Sequence, residues 1–422
     1  MSGFFRKELA YTCILLLGSM SHGLVMAFWS PCKVSMSENL GFADNNNLCS
    51  LFNFFAPFAC IFGGPIISLL INKKGRRISV FITALLMFIS WIIMVFVKES
   101  FKWLAFIMRF LTGFCVGAYS TVIPMYITEL APTEVRGAYG TLHQMGIGTG
   151  ASLCYLIGIW LDKHWRKIGI ISACPSGLLS ILVWLIPESP AVYRQQESNS
   201  VHESLCQSKF IRPLTISVFL MFFQQFAGTS AFLANLQDIF NKCHININSN
   251  LASFIVGFSG VFAVLITSAI IRFCGRRPAW HISSAAQAIA LVLGACNEKW
   301  NWSPFIPVVC LIADNFFFSI GLAPIPWFFV PELFPDSVRH VATSCMTAVN
   351  WTFGSALFYL WDVMEAGIGM TWSFATFAII MVLSLIFGII FLPEPKGEMG
   401  EGIESNNFEP LSKNDGYQQI ID

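Results

Sequence analysis

An eight-residue motif occurs twice in this chain, about 200 residues apart. Glu129-Leu-Ala-Pro-Thr-Glu-Val-Arg136 has its counterpart in Glu332-Leu-Phe-Pro-Asp-Ser-Val-Arg339. Two further motifs keep the same order, Gly75-Arg-Arg77 with Gly275-Arg-Arg277 before it and Pro187-Glu188 with Pro393-Glu394 after it. Motifs that recur in one order indicate an internal duplication. Because long apolar stretches flank each copy, the duplicated unit is predicted to be a bundle of membrane helices, an arrangement typical of transporters.

The composition excludes several other classes of protein. Hydrophobic residues make up 55% of the 422 residues and charged residues 12%, against about 25% charged in a soluble domain. The net charge is +1 and no basic tract is present, so nucleic acid is not expected as a partner. Neither a metal-ligand set, nor a nucleophile–base pair, nor a phosphate loop can be found in the sequence. We therefore expect no enzyme, no metal and no cofactor.

Twelve apolar runs bounded by charged residues, Gly and Pro predict 12 membrane spans. Spans 1 to 6 cover about 9–30, 48–71, 79–97, 103–127, 138–161 and 167–186. Spans 7 to 12 cover about 212–240, 250–273, 280–296, 303–329, 341–362 and 370–392. The sequence thus predicts an all-α polytopic membrane protein with two six-helix halves, residues 1–187 and 212–392. A short linker, 188–211, joins the halves, and a polar tail, 393–422, follows them.

The distribution of Lys and Arg predicts the orientation of the spans. Loops on the side of the two termini contain about twice as many of these residues as the opposite loops. By the positive-inside rule, both termini, the linker and the tail are expected in the cytoplasm.

Acids and bases recur at corresponding span ends of the two halves. Charges at the end of an apolar span are costly to bury unless they are paired, so ion pairs between helices are expected. Pairs that form only when this side is closed would act as a gate; the alternative is that these charges only set topology. The predicted cytoplasmic gate consists of Arg76, Arg77, Arg109, Glu129, Arg136, Glu188, Arg276, Arg277, Glu332, Arg339 and Glu394.

Polar and small residues form stripes along three spans. In span 7, Gln224, Gly228 and Asn235 share one face of a continuous helix. The same pattern surrounds Asn350 in span 11, and a shorter version surrounds Gln144 in span 5. Amides both donate and accept hydrogen bonds and Trp packs on apolar ring faces, so these groups suit a neutral polyhydroxylated solute. The alternative is that the stripes only pack helices together.

Taken together, the motifs resemble those of sugar porters of the major facilitator superfamily, closest in style to the eukaryotic facilitative glucose transporters. The resemblance covers about residues 10–397. It rests on Asn72-Lys-Lys-Gly-Arg-Arg77, Arg109 with Gly113 and Gly117, Pro124-Met-Tyr-Ile-Thr-Glu129, Pro187-Glu-Ser-Pro190, Gln224-Gln-Phe-Ala-Gly228, Pro324-Ile-Pro-Trp327, Asn350-Trp351 and Pro393-Glu-Pro-Lys-Gly397. It implies the major facilitator fold, a sugar site between the halves, and transport by alternating access.

The resemblance also implies a set of sugar-binding positions, with three departures from the family pattern. Ser230 stands where the family usually has Asn, Ser319 where it has an acid, and Gly354 where it has a second Asn. A pentose, polyol or disaccharide therefore stays open beside a hexose. Pro324 and Pro326 are expected to interrupt span 10. The predicted substrate site consists of Gln144, Gln224, Gln225, Ser230, Trp327, Asn350 and Trp351.

Energy coupling is predicted from the acids inside the spans. Proton-coupled sugar porters typically carry an Asp in span 1, but this span offers only His22, which is expected to be a hydrogen-bonded packing residue. Asp314 in span 10 is the candidate coupling group. The leading hypothesis is facilitative uniport of a glucose-like hexose in the plasma membrane, with a proton-coupled sugar or polyol symporter as the alternative. A non-transporting sugar sensor is a third hypothesis, and the oligomeric state stays open.

Overall fold

The computed structural model describes residues 2–132, 136–189, 205, 207–236, 239–240 and 248–392, and these ranges contain helices and turns but no strand. Four spans of the first half are separate helices. Span 1 is Ser2–Ala27, span 4 is Lys102–Leu130, span 5 is Arg136–Leu161 and span 6 is Trp165–Leu182. A short helix, Trp29–Asn39, follows span 1. Each predicted boundary lies within several residues of the observed one, except at the N-terminus, where the helix begins earlier.

Glycines with positive φ separate neighbouring spans in both halves. Spans 2 and 3 are two helices within Asn46–Val95 that meet at Gly75, where φ is 85°. In the second half, Gly275, with φ 87°, separates span 8, Ser249–Cys274, from span 9, Arg276–Trp300. Side chains with a Cβ rarely adopt this conformation, which explains why Gly begins both copies of the Gly-Arg-Arg motif. Spans 11 and 12 share the helix Asp336–Phe391, which breaks at Gly369.

Two spans are broken in the middle. Span 7 consists of Ile211–Gln225 and Thr229–Ala234, and span 10 consists of Ile306–Ile320 and Ile325–Glu332. The predicted interruption of span 10 at its prolines is confirmed. The prediction of a continuous helical stripe in span 7 is wrong, because Gly228 adopts φ 88° and ends the helical register between Gln225 and Thr229.

The helices are long and apolar enough for an integral membrane protein. Ten helices among the described residues could each cross a membrane, and one of them, Asn47–Val95, contains 49 residues. Gly75 divides it into two helices of about 42 and 30 Å at 1.5 Å per residue, each long enough to cross a hydrocarbon core of about 30 Å. The part of Asp336–Phe391 before Val363 supplies the remaining span. The predicted fold class, an all-α membrane protein with 12 membrane helices, is confirmed.

Close helix packing brings the spans of each half together. A Cβ on Gly113 or Gly117 of span 4 would lie 2.2 or 2.1 Å from a backbone oxygen of span 2. Span 1 packs against span 5, and the helix of spans 2 and 3 packs against spans 4 and 6. The two halves meet where span 5 contacts span 8 and where the helix of spans 2 and 3 contacts that of spans 11 and 12. A site between the halves is therefore bordered by spans 5 and 11.

Candidate functional site

Three predicted site residues form one buried amide network. Gln224 Nε2 donates to the carbonyl oxygen of Ala323 at 2.7 Å, and its Oε1 accepts from Asn350 Nδ2 at 2.6 Å. Gln225 Nε2 donates to Asn350 Oδ1 at 2.8 Å. The network connects span 7 to span 11 and to the break in span 10. Asn350 is fully buried, so its two bonds hold both glutamines in place.

The breaks in spans 7 and 10 expose the backbone that this network uses. Gly321 closes the first helix of span 10, and a Cβ there would lie 2.4 Å from the carbonyl oxygen of Ala279. Ala323 lies inside that break, which frees its carbonyl group to accept from Gln224. Gly354 lies beside the network in span 11, and a Cβ on it would contact the Gln225 side chain at 3.3 Å. The departure at position 354 thus leaves room for Gln225.

The other predicted site residues surround this network or lie apart from it. Trp327 lies in the first turn of the second helix of span 10 and Trp351 follows Asn350, and both side chains are buried. Gln144 is half-buried in span 5. Ser230 is half-buried in the short helix after the span 7 break. Among the described residues, its side chain makes no hydrogen bond to the amide network, and its place in the site stays a prediction.

Asp314 belongs to a second buried polar cluster. Thr229 Oγ1 donates to Asp314 Oδ2 at 2.8 Å, and Gln287 Nε2 donates to Asp314 Oδ1 at 3.1 Å. Asp314 is 1% exposed and Gln287 is 0% exposed. The described part of the chain forms no salt bridge with this carboxyl group, and both partners are neutral. The sequence analysis missed Thr229 and Gln287, although a glutamine inside an apolar span is itself a signal.

In the first half, the predicted gate residues form one charged cluster. Arg76 makes two parallel bonds to Glu129, from Nε to Oε2 and from Nη2 to Oε1, each 3.0 Å long. Glu188 Oε1 accepts from the backbone N–H of Arg76 at 2.8 Å, and the same carboxylate accepts from the N–H of Arg77. Glu188 therefore caps the helix that begins after Gly75. Ser189 also donates its hydroxyl to Glu129.

The second half repeats this arrangement in part. Arg276 forms a salt bridge with Glu332 and lies over the ring of Phe328 at 5.3 Å. Arg277 Nη2 donates to the carbonyl oxygen of Ile389 at 2.7 Å, and Arg339 Nε donates to that of Pro331 at 2.8 Å. We call the surface that contains the two salt bridges the arginine-rich face. Each salt bridge connects helices of one half rather than the two halves.

Three predicted gate residues lie outside this arrangement. Arg109 is buried 20 residues before Glu129 on span 4, about 30 Å away along the helix. Its Nη1 donates to the carbonyl oxygen of Val25 at 2.8 Å, and its guanidinium lies over Phe52. The prediction that Arg109 belongs to the charged gate is therefore not supported by its contacts. The side chain of Arg136 and the whole of Glu394 lie outside the described residues.

Hydrogen bonds join the two halves near both faces of the membrane. Toward the arginine-rich face, Ser344 Oγ donates to the carbonyl oxygen of Gly64 at 3.2 Å, and Thr121 lies 3.3 Å from Thr347 between hydroxyl oxygens. Toward the opposite face, Tyr155 donates its hydroxyl to the carbonyl oxygen of Leu233 at 2.6 Å. Asn250 Nδ2 donates to that of Gly158 at 3.0 Å. The amide network lies between these two sets of contacts.

Comparison with known proteins fixes the family. The family model "Sugar (and other) transporter" matches residues 21–207 and 191–406. This chain belongs to that family. Sugar transporter ERD6-like 6 of Arabidopsis thaliana is 28% identical over 94% of this chain and 90% of its own length. Facilitated trehalose transporter Tret1 of Apis mellifera ligustica is 28% identical over 97% of this chain and 91% of its own.

Solved structures show the major facilitator fold. The proton:xylose symporter XylE bound to 6-bromo-6-deoxy-D-glucose is similar, with a TM-score of 0.82 and 22% identity, over 93% of this chain and 97% of that chain. An inward-open structure of XylE from E. coli gives a TM-score of 0.75 at 23% identity, over 93% of this chain and 98% of that one. The predicted resemblance to sugar porters is confirmed by the family and the fold together.

Proposed function

We propose that this family member carries a neutral sugar across its membrane by facilitative uniport, with a glucose-like hexose as the leading substrate. The observation that carries the proposal is the amide network of Gln224, Gln225 and Asn350, which lies between cross-half contacts at the two faces. Release of one set of contacts at a time opens the site to one face at a time, which is what alternating access requires.

The chemistry of the site supports a neutral substrate. Amide and indole groups provide donors and acceptors without net charge, and they match hydroxyl groups better than carboxylates or phosphates. Relatives are named for trehalose and xylose, so a disaccharide and a pentose are the competing substrates. At Ser319 and Gly354, smaller side chains replace the larger ones of the family pattern. The room that this leaves beside Gln225 favours neither the disaccharide nor the pentose over a hexose.

The charged clusters of the arginine-rich face are proposed to act within the gate. They join the start of span 3 to the ends of spans 4 and 6, and the start of span 9 to the ends of spans 10 and 12, so that each half moves as one body. On the proposed orientation this face and both termini are cytoplasmic, and the membrane is the plasma membrane. Arg136 and Glu394 stay predicted members of the clusters.

A proton-coupled symporter is the second candidate because of Asp314. A buried carboxyl group whose described partners are the neutral side chains of Thr229 and Gln287 is costly to keep ionised, and a carboxyl group in a span is a functional hypothesis. Thr229 bonds to Asp314 and directly follows the break in span 7, and Gln225 directly precedes that break. A change at Asp314 on proton binding would therefore reach Gln225 through the break.

Radiolabelled uptake into liposomes that contain the purified full chain tests these proposals. Without an ion gradient, the natural chain is expected to equilibrate D-glucose across the bilayer. Gln225→Ala is expected to raise KM about 10-fold, the effect of one buried hydrogen bond left unmade. Gln207→Ala, at an exposed position, is the matched control and is expected to change nothing. Failure of the natural chain to transport D-glucose, D-xylose and trehalose would refute the proposal.

A pH gradient separates uniport from symport. Uniport predicts that sugar never exceeds its equilibrium level inside the liposome and that Asp314→Asn reaches the same level. Accumulation that depends on the gradient and disappears in Asp314→Asn would instead support the symporter.

A further inference from the structure

Two buried histidines face each other on the first-half side of the amide network. His22 of span 1 is 4% exposed and His143 of span 5 is 1% exposed. Their ring centroids are 6.2 Å apart. Ser19 Oγ lies 2.8 Å from His143 Nδ1, which fixes the orientation of that ring. His22 also lies 5.6 Å from Trp351, measured between ring centroids, and therefore reaches the second half.

The backbone holds these two histidines in a fixed register. A Cβ on Gly23 would lie 2.0 Å from the carbonyl oxygen of Ile147, and a Cβ on Gly150 would lie 2.1 Å from that of Met20. Glycines at these positions let spans 1 and 5 approach with their backbones in contact. Because both approaches flank His22, the histidines project from a rigid helix pair rather than from mobile segments.

Four polar atoms around this point have no hydrogen-bond partner among the described residues. They are His22 Nδ1, His143 Nε2, Trp351 Nε1 and Gln225 Oε1. Gln225 lies beside the same part of span 11 as Trp351, because it donates to Asn350 and a Cβ on Gly354 would lie 3.3 Å from its side chain. Buried polar groups in folded proteins are nearly always paired, so several such groups at the boundary between the halves suit a polar ligand that binds between them. The expectation that His22 is a hydrogen-bonded packing residue is not supported at Nδ1.

We propose that His22 and His143 bind hydroxyl groups of the transported sugar from the first half, opposite Gln225 and Trp351. The inference rests on the proposed function and extends it, since neither histidine belongs to the predicted site. A neutral imidazole nitrogen donates or accepts according to its tautomer, and a sugar hydroxyl does both. The four atoms carry no net charge as a set, which fits a neutral polyol and not an anionic solute.

Binding by groups from both halves also gives the sugar a role in closure. His22 and His143 belong to the first half, whereas Trp351 and Gln225 belong to the second. A sugar that bonds to both sets stabilises the state in which the halves are close, because only that state makes all the contacts at once. Removal of the first-half ligands is therefore expected to weaken binding without disturbing the amide network.

The test is a thermodynamic cycle between His22 and single hydroxyl groups of the sugar. Uptake KM is measured for whichever of D-glucose, D-xylose and trehalose the natural chain transports fastest, and for its monodeoxy analogues. His22→Phe keeps a ring against Trp351 but removes both nitrogens. His281→Phe is the matched control, because its Nε2 is also unpartnered but it lies in span 9, away from the boundary between the halves.

The expected result is specific to one analogue. In the natural chain, loss of the hydroxyl that His22 binds raises KM about 10-fold. In His22→Phe, the KM of the parent sugar rises about 10-fold. The KM of that analogue then differs from the KM of the parent sugar by less than about 3-fold, since neither hydrogen-bond partner is left alone. His281→Phe keeps the natural pattern. If His22→Phe is not recovered folded, His22→Leu enters the same series, because leucine is apolar, similar in size and without a hydrogen-bonding atom.

Two outcomes overturn the inference in different ways. A variant of His22 that raises KM equally for the parent sugar and all analogues, with the natural discrimination intact, shows a structural role and overturns this inference alone. Absence of transport by the natural chain for all three sugars overturns the proposed function and this inference with it.

Discussion

The salt bridge between Arg76 and Glu129 offers a sharp test of how the charged clusters stabilise the protein. The side chains are 6% and 19% exposed, and two parallel bonds of 3.0 Å connect them. Glu129→Gln would leave the buried guanidinium without its counter-charge. The pair of the second half, Arg276 and Glu332, is the internal comparison, because its acid is 31% exposed.

The magnitude follows from burial. Removing one partner of a buried ion pair costs about 3–5 kcal/mol, and exposed pairs contribute at most about 1 kcal/mol. Because the Glu129 side chain is partly exposed to solvent, we expect Glu129→Gln to lower the free energy of unfolding by about 2–3 kcal/mol. A double-mutant cycle with Arg76→Gln should give a coupling energy of about 1.5–3 kcal/mol. The same cycle on Arg276 and Glu332 should give about 1 kcal/mol.

The assay is equilibrium unfolding in detergent micelles of the natural chain, the single variants and the double variant of each pair. Purified proteins are compared at one pH and one salt concentration, because salt screens the more exposed pair more strongly. A coupling energy for the first pair that is equal to or smaller than that of the second would refute the reasoning from burial. High salt should lower the second coupling energy proportionally more than the first.

The remaining predictions concern the breaks and the amide network. Gly228→Ala should lower the free energy of unfolding by about 2–3 kcal/mol, because φ is positive and the added Cβ would lie 3.0 Å from neighbouring side chains. Gly369→Ala should lower it by about 1 kcal/mol, since φ is 77° but no atom of a neighbouring element lies within 4 Å of the added Cβ. Gly367→Ala, with neither feature and in a helical segment, should raise the unfolding midpoint slightly, because alanine stabilises a helix by about 0.5–1 kcal/mol relative to glycine. Any other order of the three midpoints would contradict this explanation. Asn350→Ala should destabilise the folded protein by about 2–4 kcal/mol and raise the uptake KM, because two glutamine side chains lose a hydrogen-bond partner. An unchanged unfolding midpoint would show that the network contributes nothing to stability.

Local patterns in the sequence predicted much of the fold. Span positions follow from apolar run length, and the break in span 10 follows from the backbone restrictions of its prolines. The break at Gly228 was missed because a stripe of small and polar residues has the same period whether or not one glycine leaves the helix. Arg109 was assigned to the gate from its charge alone, although its position along span 4 places it far from Glu129.

The candidate site was predictable only in part. Gln224, Gln225 and Asn350 were identified from amides inside apolar spans, and the structure brings these three together. The sequence does not contain the information that Gln224 bonds to Asn350 and Ala323, while Gln225 Oε1 has no hydrogen-bond partner among the described residues. That difference depends on how spans 7, 10 and 11 are rotated against one another.

The sequence by itself determined that this protein is a duplicated bundle of membrane helices of the sugar transporter family, because hydropathy, charge placement and motif order are properties of the chain alone. Tertiary structure decided which buried polar groups meet. His22, His143 and Trp351 lie far apart in sequence, and each is unremarkable in its own span. Their convergence depends on the close backbone contact of spans 1 and 5 and on the approach of the two halves, both of which are set by packing between helices.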